Sequence, residues 1–138
     1  MARRRAAKTI DELLAQARAT LPDRPSPAEA LRAQADGALL IDIREDDQRR
    51  EDGLIPGAIV LPRNSLEWRC DLSSRWRHPA ITSREIHLIL VCHEGYQSSL
   101  AAATLQQLGL ANATDLDGGF TAWAASGLPV TAVQGATA

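Results

Sequence analysis

The stretch from His87 to Gly109, HLILVCHEGYQSSLAAATLQQLG, holds one residue able to act as a strong nucleophile, Cys92, followed by a loop suited to changing its reactivity. The thiolate, not the thiol, attacks electrophiles, and a free thiol with pKa about 8.5 is only about 3% ionised at pH 7. A fall of about two units would make it mostly thiolate. Gly95 lies in the middle of the loop, where a tight curl of NH groups around a sulfur calls for positive φ. Ser98 or Ser99 stands where a helix cap is expected. His93, next to the nucleophile, has two readings that stay open: a charge or proton carrier for the sulfur, or a solvated loop histidine. Cys92 itself has a bland alternative as a small buried apolar residue. The loop and the helix start favour an activated thiolate instead.

The elements that must hold this sulfur are legible on either side of it. His87 to Val91 is a short apolar run with β-branched residues, suited to a strand buried on both faces of a parallel sheet. From Ser98 onward good helix formers follow, with Leu100, Ala103, Thr104 and Leu108 about one turn apart, and the helix stops at Gly109. Strand, loop and helix in that order place Cys92 at the carboxyl end of a strand, facing unpartnered NH groups at a helix start, a setting that favours an anion. Ala38 to Ile43 reads as another buried strand, ending in Asp42 and followed by Arg44. Ligands of open α/β sheets bind beyond the carboxyl ends of the strands, so Asp42 and Cys92 are expected on one edge. A structural role is preferred for both Asp42 and Arg44, because a carboxylate beside a thiolate opposes its charge.

The rest of the chain reads as support. At 138 residues, with net charge −2 and two cysteines, the chain suits one domain with a core and no disulfide framework. The charge gives no global case for nucleic acid. No apolar run approaches the roughly 18 residues of a membrane span, so no membrane partner is expected, and a cytoplasmic location suits free-thiol chemistry. Arg3, Arg4 and Arg5 form a short basic arm, read as a solvated, frayed terminus. Thr9 to Ala19 reads as a helix with Ile10, Leu13, Leu14 and Ala17 on one face, and a second helix starts at Ser26 with Pro27 in its first position and runs to about Asp36. Glu45 to Asp52 is a short polar helix, Ala58 to Leu61 a strand, Asn112 to Leu116 a strand, and Phe120 to Ala125 a short helix. In the irregular segment from Pro62 to Arg84, Arg63, Arg69, Arg75 and Arg77 interleave with Trp68 and Trp76. That segment is either a cationic, aromatic rim or, the preferred reading, a long loop packed over the sheet by its tryptophans. Cys70 is either a resolving thiol or a buried bystander, and the second is preferred.

Four segments occur in order: LLIDIRE at 39 to 45, GLIPGAIVLP at 53 to 62, the cysteine loop, and DGGFTAW at 117 to 123. Together they resemble the rhodanese family, in which a strand-end cysteine carries a persulfide sulfur. The resemblance implies a three-layer α/β/α fold with a mainly parallel sheet of about five strands. It implies a rhodanese-like domain over 38–131; the residues around it read as an N-terminal helical segment over 1–37 packed on the domain and a disordered tail at 132–138. It further implies Cys92 as the nucleophile and His93, Glu94, Gly95, Tyr96, Gln97 and Ser98 as the loop around the persulfide, with Asp42, Arg44, Gly118 and Gly119 in support. No metal and no organic cofactor is expected, and the partners are a small sulfur donor and a thiol or cyanide-like acceptor, or a protein acceptor. The family commonly has a histidine where this chain has Leu54, and many members have arginine where it has Gln97.

The reaction implied is a double displacement. Cys92 thiolate takes the outer sulfur of thiosulfate or a persulfide and hands it on. A non-catalytic binding or redox-sensing module of the same fold is the alternative. A phosphatase or arsenate reductase of similar fold is disfavoured, because tyrosine-phosphatase-like sites place arginine six residues after the cysteine, and Ser98 stands there.

Overall fold

A computed structural model describes residues 6–133. The arginines at 3 to 5 and the tail from 134 lie outside the described residues. Helix α1, Ile10–Thr20, starts with a reciprocal cap in which Thr9 Oγ1 accepts from the Glu12 N–H and the Glu12 carboxylate accepts from the Thr9 N–H. Helix α2, Pro27–Ala35, repeats the device with Ser26 and Glu29 and adds Pro27 at its first position.

Four parallel strands follow: β1 Leu39–Asp42, β2 Ile59–Val60, β3 Leu88–Val91 and β4 Ala113–Asp115, in the spatial order β2-β1-β3-β4. Between them run α3 Asp46–Asp52, a 3-10 turn at Arg63–Ser65, α4 Leu66–Cys70 and α5 Gln97–Gln107, and α6 Gly119–Ala125 closes the described helices. Strand alternation divides the core. Ile41, Leu88 and Leu90 point to one face with Leu66, Cys70, Ala102 and Leu105, whereas Leu40, Ile89 and Val91 point to the other with Ala30, Phe120 and Trp123. Both faces are covered, which is why β3 is apolar at every position and wholly buried. The architecture is α/β with a parallel sheet flanked by helices.

Three expectations need correction. The described sheet has four strands, not about five. Leu54 and Thr131 exchange both backbone hydrogen bonds in antiparallel fashion, but the pairing stays an isolated bridge. Pro56 and Pro129 lack the amide hydrogens needed to extend it. On α1, which packs against α5, Ile10 and Leu13 are exposed, Ala17 is the buried residue and Arg18 bonds Ser99 of α5. On α5 the deepest residues are Ser98, Ser99, Ala101, Ala102 and Leu105, while Leu100, Ala103, Thr104 and Leu108 are half-buried.

Candidate active site

Residues 92 to 96 link β3 to α5 and curl around the Cys92 sulfur. Sγ accepts from the Gly95 N–H at 3.1 Å and the Ser98 N–H at 3.4 Å, and Ser98 Oγ lies 3.1 Å away. Gly95 makes this turn with φ +89°, a conformation side chains resist. Beneath the loop, Gly118 and Gly119 bring backbone so close that a Cβ on Gly119 would lie 2.7 Å from the Cys92 carbonyl oxygen and from the Gly95 nitrogen. Phe120 N–H donates to the Cys92 carbonyl, and both N–H and hydroxyl of Thr121 donate to that of His93. The two glycines and the start of α6 therefore form the floor of the loop.

Ser98 and Ser99 do not cap α5, which begins at Gln97 with Tyr96 before it and no side-chain cap. Their hydroxyls turn inward and donate to Asp115 Oδ2 at 2.7 and 2.8 Å. Asp115 ends β4, on the same sheet edge as Cys92, and is fully buried; a carboxylate there needs partners, and the serines are two of them. Its counter-ion is Arg24, from the turn between α1 and α2, with Nε 2.7 Å from Oδ1. Burial pulls the Arg24 guanidinium down, but the hydrogen bond and charge of Asp115, then Asp117 and Cys92, outweigh it and hold the group above its ordinary range. Arg24 Nη2 and Arg18 Nη2 also donate to the Gly95 carbonyl at 3.1 and 2.8 Å, and Arg18 Nε donates to Ser99 Oγ. Asp115, Arg18 and Arg24 had no place in the site as read from sequence, and Ser99 entered it only as a candidate helix cap. Asp115 carried one usable signal, a polar residue at the carboxyl end of an apolar strand.

Asp42 and Arg44 form a buried pair beside the loop. Asp42 accepts from the Arg44 backbone N–H and from its guanidinium, which also reaches the Gly53 carbonyl and lies 3.8 Å over the Phe120 ring. The register pairs Asp42 with Val91, one residue before Cys92.

A cavity of about 850 Å³ opens over Cys92, lined among others by Arg44, His93, Glu94, Tyr96 and Gln97. Arg49 and Arg63 line its wall from outside the loop, near Asp46 and Glu67 respectively. Half-exposed His93 has its Nδ1 buried and without a hydrogen-bond partner, 3.9 Å from Asp52 Oδ2. Of the arginines in the irregular segment, Arg63 lines the cavity. Trp68 and Trp76 do not pack over the sheet: they are 59% and 55% exposed. Leu66 and Cys70 take the buried stripe of α4, which turns Trp68 to solvent, and the Trp76 ring carries the Arg75 guanidinium 4.6 Å above it. Cys70 is fully buried, and burial pushes its thiol up to about 12, so it is poorly suited to exchange. Among the described residues no cluster of potential metal ligands occurs, and no helix is long and apolar enough to cross a membrane.

The chain is similar to several known proteins. A thiosulfate sulfurtransferase GlpE of Pseudomonas entomophila is 37% identical over 100 residues, 72% of this chain and 83% of its own length. A sulfurtransferase of Allochromatium vinosum is 32% identical over 103 residues, 75% of this chain and 87% of its own. Among solved structures, a Rhodopseudomonas palustris protein described as of unknown function and a possible tyrosine phosphatase superposes with TM-score 0.82 at 28% identity, covering 95% of this chain and all of the other. The family model for the rhodanese-like domain matches residues 26–126. A match that takes in both the cysteine loop and the glycine floor beneath it makes this chain a member of the rhodanese-like domain family.

Proposed function

We propose that this chain is a sulfurtransferase that carries sulfane sulfur on Cys92. The thiolate attacks the outer sulfur of the donor. Its S–S bond breaks, and sulfite leaves from thiosulfate or a thiolate from a persulfide. A nucleophilic acceptor then takes the outer sulfur of the Cys92 persulfide and regenerates the thiolate, so no external oxidant or reductant is consumed. The observation that carries this reading is the pair of backbone N–H groups, Gly95 and Ser98, converging on Sγ under an open cavity. Fixed donors of this kind stabilise a negative sulfur without reorganisation. Asp42 with Arg44, and Gly118 with Gly119, hold the loop.

Thiosulfate is supported as donor by the names of the relatives and by Arg49 and Arg63 on the cavity wall. A small-thiol persulfide is supported by Glu94 in the loop and by Gln97, which brings no charge. Thiol chemistry of this type suits the reducing cytoplasm. The test is the intact mass of the protein after mixing with each donor, in wild type and Cys92→Ser. Gain of one sulfur atom by wild type alone is the expected result. No gain with either donor would overturn the reading and leave a binding or redox-sensing module.

The phosphatase description of the Rhodopseudomonas palustris protein raises a second reading. An arginine fork onto a tetrahedral oxyanion is its chemical requirement. Ser98 occupies that position, with its hydroxyl on Asp115, so phosphate ester hydrolysis is expected to be absent.

A further inference from the structure

The loop around Cys92 contains Glu94 and no arginine or lysine. Positive charge nevertheless reaches it from behind, on side chains that belong to the N-terminal helical segment. Arg24 grips Asp115 through Nε at 2.7 Å and Nη2 at 3.2 Å, and its Nη2 donates to the Gly95 carbonyl at 3.1 Å. Arg18 donates to the same carbonyl at 2.8 Å and to Ser99 Oγ at 3.1 Å, while its guanidinium lies over the Tyr96 ring. Gly95 is thus held at its carbonyl by two guanidinium groups, while its own N–H points at the Cys92 sulfur. Both arginines precede residues 26–126, the part matched to the family.

Charge counting explains why two cations sit there. Asp115 lies one hydroxyl away from Sγ, through Ser98, and by itself would oppose a negative sulfur. The Arg24 fork cancels that charge at close range, and Arg24 is only 18% exposed, so solvent screens the pair weakly. The nearby acid Glu94 and the wall residue Asp46 face the cavity side of the sulfur, along with His93, Arg49 and Arg63. Without Arg24 the Asp115 carboxylate behind the sulfur would be left with the two serine hydroxyls alone, whereas the cavity side has Arg44, Arg49 and Arg63 to offset its acids.

We propose that Arg18 and Arg24 are positioning residues that act on Cys92 from behind its loop. They fix Gly95 and Asp115 so that the Gly95 N–H and the Ser98 side chain face Sγ, and Arg24 supplies positive charge behind the loop, against Asp115. The inference rests on Cys92 as the reacting thiol, but it can be tested apart from sulfur transfer.

The experiment measures Cys92 alkylation by iodoacetamide at pH 7, read as intact mass, for wild type, Arg24→Gln, Arg24→Lys and Arg18→Gln, with sulfur loading followed in parallel. Arg24→Gln is expected to slow alkylation about tenfold, the scale of one charge-assisted hydrogen bond. Arg24→Lys restores most of the rate because the charge remains, and Arg18→Gln slows it by a smaller factor. A purely structural role moves the rate the other way, since Cys92 is 7% exposed and a loosened loop admits reagent faster. Unfolding reports itself, because Cys70 is fully buried and would take a second label. If Arg24→Gln shows that second label, retention of rate in Arg24→Lys and its loss in Arg18→Gln decide for the proposal, and the reverse decides against it. Unchanged or faster alkylation in singly labelled Arg24→Gln overturns it. Slower alkylation with no sulfur gain in wild type would instead remove the sulfurtransferase reading and leave the arginine clamp standing.

Discussion

Gly119→Ala is the sharpest perturbation of the cysteine loop that touches neither sulfur nor charge. Gly119 has φ +63°, where an L side chain costs about 1–2 kcal/mol. Its new Cβ would lie 2.7 Å from the Cys92 carbonyl oxygen, 2.7 Å from the Gly95 nitrogen and 2.8 Å from the His93 carbonyl carbon. All three are backbone atoms of the loop, which cannot rotate away as a side chain could, and forced overpacking adds about 1–3 kcal/mol. The sum is about 2–5 kcal/mol of destabilisation, or displacement of the loop from its floor. Gly127→Ala is the matched control. It has φ +73° with nothing within 4 Å of the new Cβ, and so incurs the conformational cost alone. The two variants differ by the overpacking term of about 1–3 kcal/mol, so their thermal unfolding should differ by roughly 3–9 °C, taking about 3 °C per kcal/mol for a chain of this size. Sulfur loading of Cys92 should fall sharply in Gly119→Ala and stay near wild type in Gly127→Ala. Equal melting temperatures together with equal loading in the two variants would refute the idea that Gly119 sets the position of the loop.

Two further predictions follow from groups around the sulfur and in the core. Ser98 has one hydroxyl proton, shown on Asp115 at 2.7 Å, and it must swing to a negative sulfur 3.1 Å away while Ser99 and Arg24 keep Asp115 paired. Ser98→Ala should therefore slow single-turnover sulfur loading about tenfold, the scale of a hydrogen bond to a charged group, and an unchanged rate would remove Ser98 from the chemistry. The Cys70 thiol, pushed up to about 12 by burial and then by Glu67, stays protonated in the folded chain above the pH at which the unfolded chain loses its proton. Its contribution is whole below about pH 8.5 and is lost as pH rises toward the folded value, with a slope of about 1.4 kcal/mol per pH unit in between. Urea unfolding at about pH 8 and about pH 10 should show wild type losing about 2 kcal/mol more than Cys70→Ala, and parallel losses would contradict it.

Local order along the chain was enough to read much of this protein. The Thr9 and Ser26 caps, the apolar run before Cys92 and the helix after it follow from rules that act over a few residues, and the elements formed within a residue or so of their expected ends. Asp42 and Arg44 are two residues apart, so their pairing was open to the same reasoning. The count of strands was less secure, because a pair such as Leu54 and Thr131 extends only if both chains have amides to give, and the prolines nearby withhold them. Burial misled along α4, since a five-residue helix has room for one stripe and Leu66 with Cys70 took it from Trp68.

Partners of a buried charge obey a different logic. Asp115 had to be neutralised, but which side chains did so depended on how α1 and the turn after it packed against α5 and the end of β4. Arg24 lies 91 residues from Asp115 along the chain, and Arg18 lies 77 from Gly95. No local pattern marks such a pair. By itself the sequence determined the strand-end place of Cys92, the curl of backbone around it and the α/β frame, because these rest on propensity, periodicity and glycine positions. Only the tertiary structure decided that Ser98 and Ser99 serve a carboxylate in place of a helix end, and that two arginines of the N-terminal segment reach the Gly95 carbonyl behind the cysteine loop. Electrostatic pairing in a protein interior depends on which groups packing brings within a few ångströms.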